Sequence, residues 1–147
     1  MTTILDRLSA AKANRDWAAM VEAVPYAKLL GLAPVLEDDD LLTKMTYGDH
    51  VIGNMALPAI HGGAIGALLE SAAIFELLYR AETIVLPKTI TITIDYLRSA
   101  GPHDTFARGV ITRHGRRVAN VRVEAWQTDR AQPVATAHAI FLVMRDH

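Results

Sequence analysis

Glu70 is the residue most out of place in this chain. The segment from Ala64 to Ala81 reads AIGALLESAAIFELLYRA, and as far as Phe75 only Glu70 and Ser71 interrupt apolar or glycine positions. A helix of that composition has to be covered by protein over most of its circumference, and an unpaired carboxylate buried in it is costly. The residues one turn to either side of Glu70 and beyond, Gly63, Gly66, Ala67, Ala73 and Ile74, are mostly Gly or Ala. They leave room beside the carboxylate for a ligand or another chain's backbone. Two readings are open: Glu70 and Ser71 mark a solvent-facing stripe, or Glu70 is a carboxylate tuned to act as base or nucleophile. The triplet His61-Gly62-Gly63 just before the helix bears on that choice. Glycines at a helix N-terminus let a ligand approach unpaired backbone N–H groups, which favour negative charge and can polarise a carbonyl. Glu70 follows Gly63 by seven residues, about two turns along the same face.

The elements that must hold these groups can be read from periodicity. Ile4, Leu5, Leu8, Ala11, Trp17, Met20, Val21 and Val24 are spaced as one long amphipathic helix or two short ones, with Pro25 as terminator. Tyr26 to Gly31 adds a helical turn, and Leu32 to Glu37 and Leu41 to Tyr47 read as strands. Asp38, Asp39 and Asp40 between them make a solvated hairpin turn rather than a metal site, because adjacent carboxylates point in different directions. A loop from Gly48 to Ile60 leads into the long helix, and Pro87 closes the connection from that helix to the next strand. Strands are expected over Lys88 to Leu97, Thr105 to His114, Arg117 to Gln127 and Pro133 to Arg145. In the first of these, Ile90, Ile92, Ile94 and Tyr96 are expected on one face, and Thr89, Thr91, Thr93 and Asp95 on the other. The last is apolar on both faces, which fits a sheet meeting a partner subunit. The order predicts an α+β fold in which an antiparallel sheet wraps one buried helix.

Composition narrows the chemistry. The 147 residues carry 15 Lys+Arg against 16 Asp+Glu, a formal charge of -1, which argues against a surface built for nucleic acid. The absence of cysteine removes disulfides, thiol nucleophiles and thiolate metal sites together. The charged, amphipathic first residues do not form a signal-peptide core, and no uninterrupted apolar run reaches the roughly 20 residues of a bilayer span. The expectation is a cytoplasmic protein with no membrane partner. No histidine pair has metal-ligand spacing with a carboxylate, so no metal is expected, and no G-x-S-x-G motif signals a serine triad.

Three stretches, NMALPAIHGGAIGALLESAA (Asn54 to Ala73), TITIDYLRSA (Thr91 to Ala100) and the GRR turn (Gly115 to Arg117), resemble the hotdog-fold acyl-CoA thioesterases, in particular their PaaI-like branch. The resemblance runs from Tyr26 to Met144 in element order. It implies a hotdog domain over residues 26–147 with a helical extension over residues 1–25, and hydrolysis of an acyl-CoA to the acid and free CoA. Carried over by position, Glu70 is the catalytic carboxylate, attacking the thioester or activating water. Gly62 supplies the N–H that polarises the carbonyl, and Gly63 allows the tight turn. Asn54 positions water or thioester unless it only caps its loop, and His61 bonds near the sulfur or holds the loop. Thr89 matches a Ser or Thr contributed across the dimer. Many relatives carry Asp where this chain has Glu, which leaves direct attack and water activation both open. Basic residues meet the CoA phosphates in the family, and Arg98, Arg113, Arg116 and Arg117 are the candidates here, with Arg116 and Arg117 foremost. A homo-oligomer is implied, a dimer or a dimer of dimers, with CoA as part of the substrate and no separate cofactor. The alternatives are a 3-hydroxyacyl thioester dehydratase or hydratase of the same fold, and a non-catalytic acyl-CoA-binding module.

Overall fold

The computed structural model describes residues 1–82 and 84–144. Arg145, the expected end of the last strand, and the terminal His147 lie outside the described residues. Two helices, not one, open the chain: α1 (Ile4–Ala13) and α2 (Trp17–Glu22). Thr3 and Asp6 close a capping box on α1, and Asp16 caps α2 through Ala19 N–H. Arg15 turns the chain between them at φ 52°. Pro25 starts a helix instead of ending one. Its fixed φ and missing N–H suit the first helical position, and α3 (Pro25–Leu30) ends at Gly31, whose φ of 73° is cheap only for glycine.

The strands follow as β1 (Leu32–Glu37), β2 (Asp40–Met45), the short ladder β3 (Ile52–Asn54) with β4 (Ala59–Ile60), and β5 (Lys88–Tyr96), β6 (Thr105–His114), β7 (Val118–Trp126) and β8 (Ala135–Leu142). Between β4 and β5 runs the central helix α4 (Gly62–Arg80). Glu37 pairs with Asp40, so the β1–β2 hairpin turns on Asp38 and Asp39 alone, and Asp40 belongs to the strand. The main sheet is antiparallel in the order β1-β2-β6-β7-β8-β5, which leaves β5 at an edge.

α4 packs across one face of this sheet, against β2, β5, β6, β7 and β8. By length and composition alone it could cross a bilayer; here its apolar side chains meet the sheet. Leu68, Leu69, Phe75 and Leu78 are at most 1% exposed, opposite Val121, Val123, Ala135, Ala139 and Phe141. Truncating a side chain such as Phe75 would cost about 3–5 kcal/mol. Helix and sheet approach closely at Gly109 in β6, where a Cβ would stand 3.2 Å from Ala72 O and from Glu76 Cβ. In β8, Ala135, Ala137, Ala139 and Phe141 are buried, whereas His138 on the opposite face is exposed.

The expected clean alternation of β5 is broken. The pairing with β8 shifts between Thr89 and Thr91, so Thr89 pairs with Phe141 and Thr91 with Ile140. Directly paired residues share a face, and Phe141 is wholly buried on the α4 side. The irregularity therefore moves Thr89 to the helix side with Ile92 and Ile94, while Ile90 is left 56% exposed.

Candidate active site

The N-terminus of α4 is fixed by three contacts. His61 is the N-cap residue, and its Nδ1 accepts the Gly63 N–H at 2.8 Å. The His61 N–H donates to Val51 O at 2.8 Å, which ties the cap to the loop before β3. From β5 the Tyr96 hydroxyl donates to Gly62 O at 2.8 Å. The ring of Tyr96 lies against Gly62, where a Cβ would stand 3.4 Å from it. Of the two glycine N–H groups, Gly63's is taken by His61, and Gly62's has no hydrogen-bond partner among the described residues. The tip of α4 thus presents one free donor to whatever approaches it.

Asn54 sits beside this cap, because β3 pairs with β4 immediately before His61. Its Oδ1 accepts the Ala56 N–H at 2.9 Å and so turns the exposed loop, the structural role left open by the sequence. Glu70 is only half-buried, and its carboxylate has no hydrogen bond or ion pair among the described residues. Glu70 and the neighbouring Ser71 both lie on a partly solvent-facing stripe, which is one of the two readings the sequence left open. Part of the small-residue stripe beside it is filled from within the chain, since a Cβ on Gly66 would stand 3.0 Å from Ile94 Cδ1.

The carboxylate buried in α4 is Glu76, at 5% exposure. Its Oε1 accepts from Arg80 Nε at 3.0 Å, while Oε2 has no hydrogen-bond partner among the described residues. Burial pushes the Glu76 carboxyl above its ordinary value, and the hydrogen bond from Arg80 pulls back only part of the way. Arg80 also reaches Asp40 at 3.1 Å, and Asp40 takes a second ion pair from Arg108 at 2.9 Å. This cluster ties the β1–β2 hairpin to the C-terminal end of α4. The i,i+4 spacing of Glu76 and Arg80 is a usable sequence signal; the burial is not, because it depends on Gly109 facing it. Tyr96 is a site residue that sequence pattern conceals, since there it only ends an apolar alternation.

The arginines divide. Arg98 donates to Pro133 O at 3.0 Å and to Gln132 Oε1 at 2.7 Å. It lines a cavity of about 290 Å³ with Gly62, Ile65, Tyr96 and Leu97. Arg113, Arg116 and Arg117 converge instead around a cavity of about 230 Å³ at the β6–β7 turn. That turn lies at the opposite end of α4, because His114 shares a third cavity, of about 360 Å³, with Leu77, Arg80 and Ala81. Thr89 is at the same far end of its strand. Within one chain, then, His61, Gly62, Asn54 and Arg98 cluster at one end, Thr89 and the other arginines at the other, and Glu70 between. Among the described residues no three His, Asp or Glu side chains converge as a metal site.

Comparison with known proteins agrees with this architecture. Residues 52–142 match the acyl-CoA thioesterase N-terminal domain family. A medium/long-chain acyl-CoA thioesterase, YigI of Salmonella typhimurium, is 32% identical over 135 residues, covering 82% of this chain and 86% of that protein. A crystal structure from Chromobacterium violaceum superposes with a TM-score of 0.77 at 37% identity, over 96% of this chain and 98% of that one. The phenylacetic acid degradation protein PaaI of Thermus thermophilus, in a mutant form, shares the fold with a TM-score of 0.65 at 23% identity, over 81% of this chain and 98% of its own. The chain belongs to the acyl-CoA thioesterase family, and is a thioester hydrolase with the hotdog fold.

Proposed function

We propose that the Gly62 N–H is the donor that polarises the thioester carbonyl and that Glu70 delivers the attacking oxygen, in a site shared by two chains. The observation that carries this reading is the division of donors at the α4 tip, where His61 occupies Gly63 N–H and leaves Gly62 N–H free. As the carbonyl carbon becomes tetrahedral, negative charge grows on its oxygen, and a fixed donor there lowers the barrier. Glu70 either takes a proton from water, whose oxygen then bonds to the carbonyl carbon, or attacks that carbon itself. With water as nucleophile the C–S bond breaks as the tetrahedral centre collapses, and the proton taken from water ends on the departing sulfur. With Glu70 as nucleophile the C–S bond breaks to leave a Glu70 mixed anhydride and the thiolate. Water then cleaves the anhydride, restoring the carboxylate and supplying the proton to sulfur, so that both routes give acid and free CoA.

The two groups are separated along α4. Eight residues from Gly62 to Glu70 advance about 12 Å, more than a glutamate side chain and a hydrogen-bonded carbonyl together cover. Gly66 lies midway between them in sequence, and it packs on Ile94 and the Tyr96 hydroxyl of β5, so the edge strand runs beneath this point of α4. A two-fold axis at Gly66 sets each Gly62 opposite the partner's Glu70. β5 supplies a surface for such pairing, as an edge strand of nine residues with exposed Ile90 and Tyr96. Antiparallel pairing reverses the partner, carrying its Thr89 and its arginine turn toward this chain's Gly62. The arginine turn then meets the CoA phosphates, and Asn54 lines the approach. Aliphatic side chains outnumber aromatics, which are 6% of residues, and the Salmonella relative is named for medium and long acyl chains; these chains are the proposed substrates.

Gly62→Pro isolates the donor. Gly62 is the first helical residue, where proline is well tolerated, and His61 at φ -60° and ψ 134° already has the conformation a following proline requires. Gly62→Ala adds a Cβ at ordinary contact distance and keeps the N–H. With thiol release from medium- and long-chain acyl-CoAs as the assay, Gly62→Ala is expected to stay active. Gly62→Pro and Glu70→Gln are each expected to lose about 100-fold in kcat. A folded Gly62→Pro enzyme with native turnover would overturn the assignment.

A further inference from the structure

From the contacts of β5 with the tip of α4 we infer that Tyr96 is a positioning residue, whose hydroxyl holds the Gly62 N–H in line for the thioester carbonyl. The inference rests on the role proposed for that N–H and extends it to a side chain on another element.

Glycine has no Cβ to restrict its φ, so a donor on Gly62 is only as well aimed as the peptide planes around it. The plane before Gly62 is set by His61 O, which accepts from Ala64 N at 2.9 Å and Ile65 N at 3.2 Å. The plane after it is held at both ends. Its carbonyl, Gly62 O, takes the Tyr96 hydroxyl at 2.8 Å, and its N–H, on Gly63, is given to His61 Nδ1 at 2.8 Å. Gly62 is thus suspended between two fixed planes, and among the described residues the Tyr96 hydroxyl is the clamp that reaches it from outside the cap segment. Tyr96 is 56% exposed in the single chain, yet its hydroxyl is directed at a first-turn carbonyl. The ring contributes separately by lying on Gly62, with Gly66 near the hydroxyl at 3.5 Å from an added Cβ.

The bonds also run in series, from the Tyr96 O–H through the Gly62–Gly63 peptide to the imidazole. Each bond polarises the next. Because Nδ1 accepts, neutral His61 carries its proton on Nε2 and can only donate from there. One hydroxyl on β5 is thereby joined, through the Gly62–Gly63 peptide, to the imidazole at the α4 tip.

Tyr96→Phe removes the clamp and keeps the ring. The expected result is a folded enzyme whose kcat falls about fivefold to tenfold, the worth of one hydrogen bond, with KM unchanged. A spectroscopic readout separates aim from packing: the infrared carbonyl stretch of an acyl-CoA bound to the Glu70→Gln protein is expected at lower frequency than in solution. In the Glu70→Gln/Tyr96→Phe protein it should return toward the solution value. Native kcat in Tyr96→Phe and a stretch in Glu70→Gln/Tyr96→Phe that stays as low as in Glu70→Gln, with Gly62→Pro inactive, would overturn the clamp and leave the donor assignment standing. A raised KM at native kcat would make Tyr96 a binding contact and also overturn it. Native turnover by Gly62→Pro would remove the donor itself, and the clamp with it.

Discussion

Glu76 lies six positions beyond Glu70 on the same helix, and it is Glu76 that the fold buries. Glu70 stands among small residues and is open to solvent on one side, which leaves it available for chemistry. Glu76 faces β6 over Gly109 and holds Arg80. A carboxyl whose native value is raised binds its proton more tightly folded than unfolded. The stability it contributes is full below the unfolded value of about 4.3 and is lost as pH rises through the elevated native value. Glutamine keeps an oxygen for Arg80 and does not titrate. The melting temperature of Glu76→Gln, relative to native, is therefore expected to climb between about pH 4 and neutrality. A difference that stays flat or falls across that range would show that the ion pair with Arg80 outweighs burial.

At the scale of elements, the N-terminal helices act on the end of α4 remote from the proposed donor. Lys12, in the last turn of α1, donates from Nζ to Leu78 O at 2.8 Å, to Tyr79 O at 3.2 Å and to Ala81 O. These are carbonyls that the helix itself leaves unpaired, and a cation suits the negative end of its dipole. Trp17 of α2 packs edge-on to Tyr79 with ring centroids 4.8 Å apart, so the same turn is held from two helices. Lys12→Met keeps the aliphatic stem and removes the charge. It is expected to destabilise the protein by about 2 kcal/mol, read by chemical denaturation, with kcat unaltered because Gly62 and Glu70 lie in the other half of α4. A lost kcat in a fully folded variant would mean that the clasp and the site are coupled along the helix. Periodicity makes these elements legible: the runs around Leu8, Leu68 and Val121 place α1, α4 and β7 within a few residues of where they fold. What it cannot express is the two-against-one pairing that turns Thr89 toward α4, since that depends on Phe141 and Ile140 in a strand some fifty residues away. Pro25 is ambiguous for a similar reason, because a proline looks the same from either side of a helix boundary until the next turn is seen to form.

At the scale of the whole molecule, one chain keeps the groups of the reaction apart. Gly62 and Arg98 sit at one end of α4, and Arg113, Arg116 and Arg117 near the other. A nineteen-residue helix is about 28 Å long, so no rotamer brings the arginine turn to its own chain's Gly62. The proposed two-fold pairing would bring unlike ends together, and this makes the sharing of the site testable. Glu70→Gln and Gly62→Pro each disable every site in their own homodimers, whether the two groups act from one chain or from two. They differ when mixed. If each site takes Gly62 from one chain and Glu70 from its partner, a heterodimer of the two variants has one site with both substitutions and one with neither. Random exchange of equal amounts makes half of the dimers mixed, each with one intact site of two, so about a quarter of native kcat should return on mixing, with native KM. If Gly62 and Glu70 of the same chain serve one thioester through a bridging water, every site in the mixture carries one lesion and no activity returns. Co-expression of differently tagged variants, purified through both tags, removes the homodimers and should raise the recovered fraction to about a half. The absence of recovery in that doubly tagged protein would assign both groups to a single α4 and remove the need for a shared site, while leaving the Gly62 and Glu70 assignments to stand on their single variants.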